Sequence, residues 1–211
     1  MTFENTLLAA TMVLGTSAGM AMVGRYGAHR IPFLTLAVAV LTSAGFVTQL
    51  LESGALEALQ RNGSAIAAGQ WWRLLTALLV QDGGWAGFVS NLAGLVLIGA
   101  SAEQLISRRA WTALYLVPAF IVELIALRWQ PVGGGNSVAW MALAGAMWIL
   151  ALRHKGGPGL SLLGWAGLAI GALLSMKSNI HGPAILLGAA LAWGMAARFP
   201  GAIPTHEAKR G

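Results

Sequence analysis

The sequence predicts an all-α fold, a polytopic membrane helix bundle of six or seven transmembrane helices, and three observations predict it. Of the 211 residues, 57% are hydrophobic and only 9% are charged, whereas a soluble domain carries about 25% charged residues. So few charges cannot build a water-soluble surface. Apolar stretches near 4–23, 31–51, 86–102, 110–127, 138–152, 159–176 and 182–197 each approach or reach the ~20 residues that cross a bilayer as helix. All but one of the intervening connections are short, so one membrane domain accounts for the chain and no soluble domain is left over. Backbone polar groups in lipid must pair within their own segment, which makes these stretches helices.

The first stretch, from Thr6 to Val23, lacks a basic segment ahead of it and has Glu4 there instead. It reads as an anchor helix, not a cleaved secretory signal. Cysteine is absent, which removes disulfides and thiol chemistry. The net charge is +6, yet the basic residues are scattered singly between helices, so a nucleic-acid partner is not expected and topology accounts for the excess. Lys and Arg gather on the cytoplasmic side of membrane proteins. Alternate connections hold Arg25 and Arg30, Arg108 and Arg109, Arg153 and Lys155, and finally Arg198, Lys209 and Arg210. The connections between them hold only Arg61, Arg73, Arg128 and Lys177, together with Glu52, Glu57 and Asp82. The N-terminus and the long 52–85 loop are therefore expected outside and the C-terminus in the cytoplasm, with seven crossings. An integral protein of a bacterial inner (cytoplasmic) membrane would have this arrangement.

The loop from Glu52 to Trp85 is too apolar to be simply solvated, with Ala55 to Leu59, Ile66 to Ala68, and Trp71 to Val80. Trp favours the headgroup level, so the loop is expected half in the interface, as an entrance to an interior site.

Intramembrane polar residues are expensive and are functional candidates by default. Asn91 lies about six residues into its helix, roughly 9 Å below its start at 1.5 Å per residue. Ser137 follows the run Gly133-Gly134-Gly135, and His181 opens the last helix just after Lys177. The alternating topology puts all three near the external leaflet. A histidine within hydrogen-bond reach can take a serine's proton near neutral pH. The oxyanion that follows needs preorganised donors: the free N–H groups at the helix start by Ser137, or the side-chain amide of Asn91. Glycines ahead of the serine let a backbone approach. Each residue also has a structural reading, as a backbone-bonded serine, an interface histidine or an interhelical asparagine. Glu123 is expected to pair with Arg128 or Arg73, or to snorkel. Tyr115 and Trp111, Trp129 and Trp165, near helix ends, suit an aromatic belt.

The spacing around these residues resembles the rhomboid intramembrane serine proteases. Gly69-Gln70-Trp71-Trp72-Arg73-Leu74-Leu75-Thr76 is similar to the family's Trp-Arg motif in the first external loop. Asn91, Gly99 and Glu103 fall at the offsets of its second core helix. Gly135-Asn136-Ser137-Val138, with Gly145 eight residues after the serine, resembles the Gly-x-Ser-Gly nucleophile motif. His181 with Gly188 resembles the last core helix. The resemblance covers roughly residues 31–197 and implies a rhomboid-like six-helix core over 31–199, preceded by an extra N-terminal transmembrane helix and cytoplasmic turn over 1–30 and followed by a cytoplasmic tail over 200–211. It implies Ser137 as nucleophile and His181 as base, with Asn91, Gly135, Asn136 and Val138 as oxyanion or supporting positions and Trp72 and Arg73 at the entrance. It implies no metal and no organic cofactor. The substrate would be a membrane protein cleaved in or beside a transmembrane helix.

The chain departs from the family pattern at Gly87, where a second oxyanion donor, a His, is usual. Val138 replaces the glycine after the serine, Met141 a Tyr that packs on the histidine, and Ala184 a small-motif glycine. A second reading stays open on these departures: a rhomboid-like pseudoprotease that binds membrane helices or serves as a subunit of a larger membrane complex. A transporter or channel would need several ionisable residues near mid-membrane, and the chain offers chiefly Glu123.

Overall fold

The computed structural model describes residues 2–27, 30–153 and 157–198. Lys155, Lys209, Arg210 and the tail expected over 200–211 lie outside the described residues. In chain order the helices are α1 (Phe3–Tyr26), α2 (Phe33–Leu51), the short α3 (Ala55–Leu59), α4 (Gly63–Ala67) and α5 (Arg73–Thr76), then α6 (Gly84–Gly94), α7 (Ala100–Leu105), α8 (Arg108–Trp129), α9 (Ser137–Arg153), α10 (Pro158–Met176) and α11 (His181–Arg198). A π-helical turn, Leu95–Gly99, joins α6 to α7, making one span over Gly84–Leu105. That span and α1, α2, α8 and α10 are long and apolar enough to cross a membrane; α9 and α11 are shorter apolar helices. The fold is thus the expected all-α bundle, six core helices with one more ahead of them.

Helix α9 is the centre of the bundle. Every residue from Val138 to Ala151 is buried, as a helix apolar all round must be. Around it stand α1, α8, α10 and α11. By contrast α2 buries only Thr35, Thr42 and Phe46, packs Leu34, Val38 and Ala39 partly against the core, and leaves Phe33, Leu36, Val40, Leu41, Val47, Leu50 and Leu51 exposed. The closest approach is between α9 and α11. A Cβ built on Gly145 would overlap the carbonyl of Ile185, and one built on Gly188 would overlap the carbonyl of Ala142. Only glycine leaves room there for two backbones in contact.

Polar ties hold the helix ends. The buried Glu103 carboxylate accepts from the backbone N–H groups of Leu34 and Thr35, both at 3.0 Å, and from the Thr35 hydroxyl at 3.1 Å. It thereby satisfies the orphan donors and meets the positive end of α2. The Arg30 guanidinium donates to the carbonyls of Glu103 and Ile106 at the end of α7. One expectation is corrected here: Trp111 and Tyr115 are not in an aromatic belt. Both are buried and stacked, with ring centroids 4.9 Å apart. The Trp111 indole N–H donates to the Gly99 carbonyl at 2.9 Å, a group in the π turn, where the helical ladder is interrupted. Trp129 and Trp165 are exposed.

The 52–85 loop is folded, not draped. Besides its three short helices it carries strand β1 (Arg61–Asn62), antiparallel to β2 (Val132–Gly133), with Arg61 opposite Gly133 and Asn62 opposite Val132. Because the Gly145 and Gly188 collisions are with backbone, no side-chain rotation relieves them. Gly188→Val is expected to cost at least about 1–3 kcal/mol, read as an earlier midpoint in denaturant titration of the purified protein in bicelles.

Candidate functional site

The site begins where α10 ends. The Ser178 N–H bonds to the Ser175 carbonyl and the Asn179 N–H to the Leu174 carbonyl, both at 3.0 Å, with Ser178 at φ 53. This is the Schellman arrangement, which stops a helix by a left-handed residue. The reversed chain brings Asn179 beside the start of α11, whose first residue is His181. Ser137 is likewise the first residue of α9. The glycine-mediated contact of α9 with α11 sets the two starts side by side, and His181 Nε2 lies 2.9 Å from Ser137 Oγ. At 17 residues, α9 is about 26 Å long, shorter than the ~30 Å hydrocarbon layer. A serine at its first residue therefore suits a place below the membrane surface.

Behind the pair, His181 Nδ1 lies 2.7 Å from Asn179 Oδ1, and the His181 backbone N–H donates to the same oxygen at 3.1 Å. The Asn179 amide nitrogen in turn donates to Glu4 Oε2 at 2.8 Å. In front of the pair is a cavity of ≈ 410 Å³, whose walls include Arg61, Asp82, Glu123 and Gln130 as well as Ser137, Val138 and His181. Glu123 does not pair with Arg128 or Arg73 as expected. Its partner is Arg61, at 2.5 Å, with both side chains almost wholly inaccessible. The Arg61 guanidinium also donates to the Gln130 carbonyl at 2.9 Å.

The other sequence candidates divide into two groups. Gly135 lies beside the serine at φ 151, where a Cβ would stand 3.0 Å from the Asn91 amide nitrogen. Its N–H donates to the Ala77 carbonyl at 2.8 Å, tying the loop ahead of Ser137 to the segment after α5. Asn136 is fully buried, and its carbonyl accepts from the N–H groups of Ala139 and Trp140 at the start of α9. Asn91 donates its amide to Gln81 Oε1 at 2.7 Å and accepts from the Trp140 indole at 3.4 Å. Trp72 and Arg73 stand apart from the cavity. The Arg73 guanidinium folds back on the loop, donating to the Glu57 and Gln60 carbonyls at 2.6 and 3.1 Å and to Gln70 Oε1 at 2.7 Å, while Trp72 is exposed.

A family model for the Rhomboid domain matches residues 68–199. The chain belongs to the rhomboid family. The match opens inside the loop, just after α4, and runs from α5 through α11. No curated protein and no solved structure matches this rhomboid.

Sequence reasoning did not single out Arg61, Gln81 or Asn179. Gln81 is held by Gln49, which exchanges hydrogen bonds with its N–H and carbonyl, each at 2.9 Å. No spacing rule links positions so far apart. Asn179 carried a local signal, since an Asn side chain commonly closes a turn on the N–H two residues on. The buried ion pair yields a test of the cavity wall. Removing one partner of such a pair costs about 3–5 kcal/mol, whereas an apolar replacement of both is often neutral. Glu123→Leu is therefore expected to lower the unfolding midpoint sharply, and Arg61→Met with Glu123→Leu to recover most of it, by the same denaturant titration.

Proposed function

We propose that this rhomboid is an intramembrane serine protease, in which Ser137 and His181 hydrolyse a peptide bond in or next to a substrate transmembrane helix. The observation that carries the reading is the 2.9 Å separation of Ser137 Oγ and His181 Nε2, within the reach a general base needs. His181 Nε2 takes the hydroxyl proton as Oγ attacks the scissile carbonyl, then returns it to the leaving amine. Water then cleaves the acyl-enzyme by the same steps in reverse roles. The oxyanion faces the backbone N–H groups of Ser137 and Val138, the first two of α9. The Asn91 amide is a further donor once it turns from Gln81. The charged and amide groups of the cavity wall suit a water-filled hollow, which hydrolysis within an apolar bundle requires. An extended backbone is needed to reach a recessed serine, so a substrate helix rich in small or helix-breaking residues is favoured.

In proteoliposomes, Ser137 is expected to be labelled covalently by a fluorophosphonate, with labelling lost in Ser137→Ala. His181→Ala is expected to abolish peptide cleavage as fully as Ser137→Ala, since the two act as a unit. Asn91→Ala is expected to lower the cleavage rate by about 10²-fold. Absence of labelling in folded protein would instead favour the pseudoprotease, a helix-binding protein or membrane-complex subunit. We also propose that the N-terminus and the 52–85 loop face outward. The chain has no cysteine, and Gly54 and Gly159 both have open space around them. Gly54→Cys is expected to react with an impermeant maleimide on intact cells, and Gly159→Cys only after lysis.

A further inference from the structure

We infer that Asn179 and Glu4 are positioning residues for the His181 imidazole, so that the helix ahead of the six-helix core, α1, takes part in preparing the base. The inference rests on the dyad reading above. It starts from hydrogen-bond polarity. An ionised carboxylate only accepts hydrogen bonds, whereas an asparagine amide has one donating and one accepting end. Glu4 Oε2 lies 2.8 Å from the Asn179 amide nitrogen, which turns the amide oxygen toward His181. The backbone provides an independent check on that orientation: the His181 N–H, a donor, sits 3.1 Å from the same oxygen. With an oxygen facing it at 2.7 Å, His181 Nδ1 must carry the imidazole proton. Nε2 is then left with its lone pair toward Ser137 Oγ, the tautomer a general base requires. With the opposite tautomer, Nε2–H would donate to the serine and could not take its proton.

Each link has a structural reason. The Schellman turn at Ser178 places Asn179 at the mouth of α11. Asn179 itself is buried, so water does not readily replace Glu4 as its partner. Glu4 stands in the first turn of α1, and α1 is seated against α9 and α10. It also packs against the π turn and α7, where Gly15 meets the end of the Ile98 side chain and Gly19 meets Ser101 too closely to admit a Cβ. The order Glu4, Asn179, His181, Ser137 thus runs from the extra helix to the hydroxyl through three side-chain hydrogen bonds.

The test uses the full chain in proteoliposomes with two readouts. One is the rate of Ser137 acylation by a fluorophosphonate. The other is the ¹⁵N NMR signature of the His181 ring, assigned by its loss in His181→Gln and independent of catalysis. The parental ring is expected in the Nδ1–H form. Asn179→Leu is expected to lose that form and to slow acylation about tenfold or more, as loss of one hydrogen bond implies. Asn179→Asp, which keeps an oxygen toward Nδ1, is expected to retain it. Glu4 is only half-buried, so its replacement does not threaten folding. Glu4→Ala is expected to slow acylation a few-fold, and Glu4→Gln, which keeps an acceptor, to restore it. Parental ¹⁵N shifts and acylation rates in both Asn179→Leu and Glu4→Ala would overturn the proposal. If the parent itself shows no Ser137-dependent acylation, the dyad reading fails, and the ¹⁵N signature alone decides whether Asn179 and Glu4 set the tautomer.

Discussion

The backbone contact between α9 and α11 is the constraint on which the rest of the site depends. Gly145 and Gly188 each face the carbonyl of the opposite helix across a gap that no side chain fits. In a bilayer no hydrophobic force separates helix from lipid, and close van der Waals approach does the work that burial does in water. Two helices locked at mid-length by reciprocal glycines have little freedom to rotate or slide. Their first residues, Ser137 and His181, are therefore held at hydrogen-bond distance without help from flexible loops.

The second layer of organisation is the folded loop between α2 and α6. Its own carbonyls are gathered by Arg73, its strand β1 pairs with β2 shortly before Ser137, and Gly135 is bonded to Ala77. The wall it contributes carries Arg61, buried and neutralised by Glu123 on α8. An unpaired charge at such a position would be costly, so loop and helix are coupled through the pair. The same arrangement leaves polar groups facing the serine inside an otherwise apolar bundle.

Gly87 supplies no side-chain donor, yet Asn91 remains close to Gly135, held by Gln81 and Trp140. Val138 is buried beside the cavity, so its branched side chain is packed into the wall that borders the serine. On the far side of the imidazole, Asn179 and Glu4 add hydrogen bonds that reach outside the segment matched by the family model.

The sequence by itself determined the helices and their order, because apolar run length is a local property that a bilayer translates directly into spans. The expected stretches near 138–152 and 182–197 lie within one residue of α9 and α11 at each end. Ser137, His181, Gly145 and Gly188 were legible for a related reason: each is a chemically exceptional residue at a fixed offset within one helix. Only the tertiary structure decided who partners whom. The sequence offers Glu123 either Arg128 or Arg73, and the fold gives it Arg61; Glu4 and Asn179 stand 175 positions apart. Trp111 is placed by its bond to the carbonyl of Gly99, the last residue of a π turn that hydropathy does not encode. Such pairings depend on helix rotation and depth, quantities set by all the contacts of the bundle at once and by no single segment of the chain.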